Sequence, residues 1–240
     1  MHRRTAPRLA RILACAAVPV MLVATGCSSD GDSGSKKESA KPTKSAATPQ
    51  TAPSVQAARF GKLPEACKTV TEKTIEDIVP KVDKKEGKPL NTGDTNDIAS
   101  CIWSGLDKED VKNMQNRVLV VSLKRLTSDP TLGTGEKRAQ DFAAQQATAV
   151  TTADGATNAK TEKVSGIGDG EAALVSTDTK KNDDEYKNEI VVARTANVVL
   201  TVKYSGAGLQ GAKSPDPDEL KKNAQQAAKD VVKAVADANK

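Results

Sequence analysis

The stretch NEIVVARTANVVLTVKYSG, Asn188 to Gly206, constrains the fold more than any other part of this 240-residue chain. Val198, Leu200, Val202 and Tyr204 alternate with Val199, Thr201 and Lys203, the period of a strand with two unlike faces. A second β-branched run, Ile190 to Val192, precedes it, and only a turn at Thr195 to Asn197 fits between the two. Asn197 is suited to the positive φ that such turns often need. Two strands joined so closely must be antiparallel, so the rest of the domain has to complete and cover an antiparallel sheet.

Other stretches supply the strands and the cover. ASCIWSG (Ala99 to Gly105) and NRVLVVSLKRL (Asn116 to Leu126) read as strands, the second apolar on both faces from Val118 to Leu123, as in an interior strand. AKTEKVSGIGDGEAALVS suggests two short strands about a glycine turn. TEKTIEDIVPKV predicts a short helix with Thr71 as N-cap, Ile75, Ile78 and Val79 on one face and Pro80 as the stop. TGEKRAQDFAAQQATAV, capped by Thr134, sets Ala139, Phe142, Ala143, Ala147 and Val150 at helical spacing. DPDEL opens the last helix: Asp216 caps, Pro217 takes the first helical position and Glu219 completes a capping-box-like arrangement. Its buried stripe is Leu220, Ala224, Ala228, Val231 and Val235. Helix, strands, helix, strands, helix predicts an α+β fold, a mostly antiparallel sheet covered by helices.

The start of the chain is of another kind. Arg3, Arg4, Arg8 and Arg11 precede an apolar run from Ile12 to Ala24, the order of a secretory signal. That run is about 13 residues, short of the roughly 20 that span a bilayer, and Pro19 interrupts it. Its end, ATGC, resembles the lipobox of bacterial lipoproteins, although Ala24 stands where Leu is usual. Cys27 would then carry a diacylglyceryl thioether and become the mature N-terminus, its two acyl chains sufficing for a stable anchor. The alternative is a secreted protein cut elsewhere. Arg3 and Arg4 leave the twin-arginine route open beside the general one. From Ser28 to Ala58 the sequence is mostly Ser, Thr, Pro, Ala, Lys and Gly, with Val55 its only larger aliphatic residue, too poor in apolar area to fold, and reads as a disordered tether with a reach of roughly 30 Å. The expected organisation is therefore signal at 1–26, lipidated Cys27 and tether at 27–58, and one extracytoplasmic domain at 59–240. The expected location is the outer face of the cytoplasmic membrane.

This division changes what the composition means. The full chain carries a formal net charge of +5, but without the four arginines of the signal, 32 of the 36 Lys and Arg face 31 Asp and Glu. Nucleic acid loses its main electrostatic argument as a partner. His2, the only histidine, leaves with the signal, which removes imidazole acid–base chemistry and histidine metal sites. Cys15 leaves too, so the exported domain holds Cys67 and Cys101, which in an oxidising compartment read as one disulfide rather than a nucleophile or a zinc site.

Candidate sites are few. Cys101 and Trp103 are two apart on a strand and face the same side, so Trp103 either packs against the disulfide or offers a ligand platform. GIGDG, Gly166 to Gly170, looks like a phosphate loop, but a strand rather than a helix follows, so a tight turn fits better, with Asp169 free to accept a ligand hydrogen bond. DTKKNDDEYKNE collects Asp178, Asp183, Asp184, Glu185 and Glu189 without calcium-loop spacing and reads as a solvated hairpin loop; TGDTND, Thr92 to Asp97, shares that weakness. No catalytic residue, metal site or cofactor is expected.

Taken together, the lipobox, the tether, LPEAC at Leu63 to Cys67, CIW at Cys101 to Trp103, VSGIGDGEA, the late hairpin and the terminal helix resemble a family of actinobacterial lipoproteins of unknown function. Exported mycobacterial lipoproteins and extracellular sensor domains of receptor kinases are similar in layout. Gly170 departs from a more usual GDEA run, and Thr195-Ala196 stands where a glycine often precedes the hairpin Asn. The resemblance implies an exported α+β module with a disulfide and no catalytic residue to carry over. The expected function is a membrane-anchored, non-catalytic module that binds a small or lipidic ligand or an envelope protein; the alternatives are a carboxylate-dependent wall-glycan hydrolase and a structural envelope protein without a ligand.

Overall fold

A computed structural model describes residues 54–90 and 96–240. Cys27, the signal and residues 28–53 of the tether lie outside the described residues, as does most of TGDTND. The described chain runs through α1 (Glu72–Ile78), β1 (Lys88–Pro89), β2 (Ile98–Asp107), β3 (Gln115–Arg125), α2 (Gly135–Thr151), β4 (Thr157–Val164), β5 (Ala172–Lys181), β6 (Asp184–Thr195), β7 (Val198–Gly208) and α3 (Pro217–Ala238), with short 3-10 turns at Ala66–Lys68 and Val111–Asn113. The seven strands form one sheet in the order β1-β2-β3-β7-β6-β5-β4, every pairing antiparallel. A hairpin (β2, β3) and a meander (β4 to β7) thus meet at β3 and β7, and α2 carries the chain from the middle of the sheet to its far edge.

Period-two alternation divides the sheet into two faces. Cys101, Trp103, Leu119, Val121, Leu123, Leu174, Val191, Ala193, Leu200, Val202 and Tyr204 turn toward α1 and α3 and form the larger core. Helix α3 buries Leu220, Ala224, Ala227, Ala228, Val231 and Val235, its three alanines letting the helix lie close to the strands. Asp216 caps it through the backbone N–H groups of Asp218 and Glu219. Thr71 caps α1, and Asp230 of α3 accepts from Thr74 Oγ1 at 2.7 Å, which ties the two helices together.

The opposite face is covered only in part. Helix α2, capped by Thr134, packs on Val175, Ile190, Val192 and Val199. Of its expected core positions Ala139 is buried outright, while Phe142, Ala143, Ala147 and Val150 are partly buried. The helix does not extend over β2 and β3, so Val118 and Val120 are half-buried although β3 has neighbours on both sides. The expected interior strand is therefore interior in the sheet, and among the described residues only one of its two apolar faces is fully buried.

The β6–β7 turn also differs from its expectation. The positive φ falls on Ala196, at 49°, and Asn197 is fully buried. Its Oδ1 accepts from Phe60 N–H at 2.7 Å, and its Nδ2 donates to the carbonyls of Phe60 and Leu126 at 3.0 and 2.9 Å. Asn197 is a clamp between three segments rather than a turn former. The acidic stretch expected as a solvated loop is instead mostly strand: β5 and β6 are joined by Asn182 and Asp183, both at positive φ, a two-residue hairpin turn.

Candidate functional site

The disulfide joins Cys67 to Cys101 with a Cα–Cα distance of 5.1 Å, tying the segment before α1 to β2. Trp103 shares the core side with Cys101, is 1% exposed, and donates its indole N–H to the Lys85 carbonyl at 2.9 Å. Gly87, at φ 70°, lies over both; a Cβ there would stand 2.6 Å from Cys101 Sγ and 2.7 Å from the indole. The tryptophan has no open ring face to offer a ligand. Asp169 accepts from Ala196 N–H at 2.6 Å, and its own N–H donates to the Arg194 carbonyl at 2.7 Å. Gly168 makes this approach possible, since a side chain there would run into the Arg194 carbonyl. The GIGDG turn thus braces the β6–β7 turn, and Trp103 and Asp169 lie in different places.

A charged cleft lies elsewhere, between the β4–β6 end of the sheet and the start of α3. On β5 and β6, Ser176 stands opposite Glu189 and Asp178 opposite Lys187. Ser176 Oγ donates to Glu189 Oε2 at 2.7 Å, and Lys187 Nζ is 3.1 Å from Asp178 Oδ2 while also pairing with Glu185. From α3, Lys221 reaches Glu162 of β4 at 2.6 Å. The ladder between β4 and β5 shifts register between Thr157 and Lys160, with Asn158 at φ 53°. At that irregularity Asn158 Nδ2 donates to Asp178 Oδ2 at 2.7 Å, and Asn158 and Ala159 line the cleft.

These groups line an open recess of about 430 Å³, floored by Ser176 and Glu189 and walled by Lys160, Lys187, Pro217 and Lys221. A second recess of about 510 Å³ continues it past Lys187 and Pro217 to Gln115 and Lys213. Glu189 is buried, and burial pushes its carboxyl above the ordinary glutamate value. Ser176 and Lys221 pull against that shift, while Glu162 and Asp178 add to it. Hydrogen bonding to Glu185 and to Glu162 raises the Lys187 and Lys221 ammonium groups respectively. Asp178 and Lys187 are only 17 and 25% exposed, so their pairing is less screened than that of a surface pair, whereas Lys221 pairs with the half-exposed Glu162. The floor therefore offers one carboxyl that holds its proton unusually well, ringed by fixed donors and acceptors. No group of three His, Cys, Asp or Glu among the described residues is gathered to hold a metal ion.

The sequence carried a signal for this site. Glu189 sits two residues before Val191, in the phase that points into the core, and a carboxylate in that phase is costly unless partnered. The clustering of acidic residues around the hairpin obscured the alternation.

No protein-family model matches the chain, and no curated protein matches its sequence. Two solved structures are similar over part of it. One, a protein from Bacteroides thetaiotaomicron VPI-5482, is 13% identical, the match covering 60% of this chain and 40% of that one, with a TM-score of 0.30. The chain thus spans two-fifths of that protein's length. The other is LpqN of Mycobacterium tuberculosis, described as involved in cell envelope biogenesis; it is 12% identical, covering 63% of this chain and 87% of that one, with a TM-score of 0.28.

Proposed function

We propose that this is an extracytoplasmic lipoprotein, anchored by a diacylglyceryl thioether on Cys27, whose domain is a non-catalytic module that binds a small polar ligand of the cell envelope in the cleft floored by Glu189. The observation that carries this reading is Glu189 itself. A buried carboxyl beside the semi-buried Asp178–Lys187 pair costs stability, and a cleft that gathers such groups is a functional-site candidate on physical grounds. Hydroxyl, amide and zwitterionic groups match its mixture of lysine ammonium groups, carboxylates, Ser176 and Asn158.

The test is a thermal-shift screen of wild type and Glu189→Gln against sugars, amino acids and muramyl peptides. A ligand at 100 times its Kd adds about 2.7 kcal/mol to wild-type stability, a shift on the order of 5–10 °C. Glu189→Gln responds weakly or not at all. An identical response in both proteins rejects the cleft. Mass spectrometry of the membrane fraction tests the anchor: a mature N-terminus other than a lipidated Cys27 rejects it.

A second reading takes Glu189, whose carboxyl burial raises above the ordinary glutamate value, as a general acid and Asp178 as its partner in wall-glycan hydrolysis. It predicts release of reducing ends from purified wall glycan, lost in Glu189→Gln; binding without release favours the first reading.

A further inference from the structure

We infer that β4 pairs edge to edge with β4 of a second copy of the chain, about a two-fold axis through Thr161. Strand β4 ends the sheet, Thr157 to Lys163 are all exposed, and no strand among the described residues pairs with its outer edge. Such an edge is a template for another strand, and edge lysines are the usual means of refusing one. This edge refuses most partners and accepts one. If the helices of both copies are to stay on their own side of a continuous sheet, facing residues must share a face, so the axis has to pass through a residue.

Through Lys160, Glu162 or Lys163 the axis sets like charges against each other. Through Thr161 it sets Lys160 opposite the second copy's Glu162 and Glu162 opposite the second copy's Lys160, two opposite-charge pairs from one strand. The existing ion pairs engage only one oxygen of Glu162, so Oε2 is left to face the second copy's Lys160. Glu162 is held by Lys221 and Lys163 by Glu171, while Lys160 has no carboxylate partner among the described residues. Lys160, Glu162 and Val164 stand opposite Ser176, Leu174 and Ala172, the core-side residues of β5, so the new pairs form beside the cleft. The clefts of the two copies then open on the same side of a fourteen-stranded sheet, twice the seven strands of one chain.

The test places one thiol on the axis of the exported protein, whose other domain cysteines are already bonded to each other. Thr161→Cys faces its own copy at about 4.5–5.5 Å between Cα atoms, within disulfide range. It yields a reductant-sensitive band of doubled mass that wild type lacks, and Lys163→Cys, facing Ala159, yields much less. Charge reversal gives an independent reading by native mass spectrometry. Lys160→Glu and Glu162→Lys each replace two attractions with two repulsions and weaken self-association on the order of tenfold or more. Mixed together they restore both pairs and form the heterodimer in preference to either homodimer. No doubled band from Thr161→Cys, equal bands from the two cysteine variants, or no heterodimer on mixing overturns the pairing.

Discussion

Asn197→Asp is the substitution that best separates two explanations of the β6–β7 turn. If Asn197 serves only the turn, Asp is a near-neutral replacement, because both residues suit tight turns. The structure assigns it another role, since its amide makes three hydrogen bonds to buried or part-buried backbone groups of Phe60 and Leu126. Each such bond contributes about 1 kcal/mol, and each group left without a partner costs about 1–3 kcal/mol. Asn197→Ala orphans three groups, of which an entering water can satisfy two, so the loss is about 3–5 kcal/mol. Asn197→Asp keeps the acceptor for Phe60 N–H but turns a carboxylate oxygen toward two carbonyls, so it is at least as damaging as Ala at neutral pH. Urea unfolding followed by circular dichroism measures both, with the midpoint falling and the slope unchanged. A cost below about 1 kcal/mol for Asn197→Asp refutes the clamp.

Three further outcomes follow from other parts of the molecule. Replacing Cys67 and Cys101 with Ala frees a loop closed over a sequence separation of 34 residues, which the chain-entropy relation converts to about 4 kcal/mol, read as a lower urea midpoint in non-reducing buffer. Tyr204, buried and donating its hydroxyl proton to the Ile78 carbonyl, has its phenol pushed up to about 12, mainly by burial. The unfolded tyrosine loses its proton first, so the contribution is intact below pH ~10 and is lost as pH rises toward ~12; Tyr204→Phe removes that alkaline dependence. Glu189 is likewise raised in the folded state, so wild-type stability falls as pH climbs from the ordinary glutamate value through the folded one. Glu189→Gln has no such loss, and its advantage over wild type in urea midpoint grows from pH 4 to pH 7.5; a pH-independent difference contradicts the burial of that carboxyl.

Much of the scaffold was legible because local signals and burial agreed. Asp216-Pro217 began α3 where a cap and a first-turn proline place it, Thr71 and Thr134 capped their helices, and the expected stripe from Leu220 to Val235 became the buried face. Less legible were features that depend on distant segments. Nothing near Asn197 announces Phe60 or Leu126, which lie 137 and 71 residues away. The alternation of β3 marks two apolar faces, but how far α2 reaches across one of them depends on where the chain crosses to β4. Trp103 illustrates a choice that spacing left open: its phase put it beside Cys101, and only Gly87 and the Lys85 carbonyl close over it. The cleft was hidden because its parts come from β4, β5, β6 and α3, and Glu189 becomes distinctive only when strand phase is read through a run of charges.

The most direct measurement is a native mass spectrum of the full chain, produced in a bacterium that processes lipoproteins and extracted in mild detergent, taken for wild type and for Glu189→Gln. Under the proposed function both proteins carry a lipidated mature N-terminus at Cys27, and the folded wild type carries a small polar adduct that is missing from the variant. Because the variant is expected to be at least as stable at neutral pH, loss of the adduct reports the cleft rather than unfolding. Spectra that are identical in their adducts, or that carry none in either protein, contradict the cleft as the binding site.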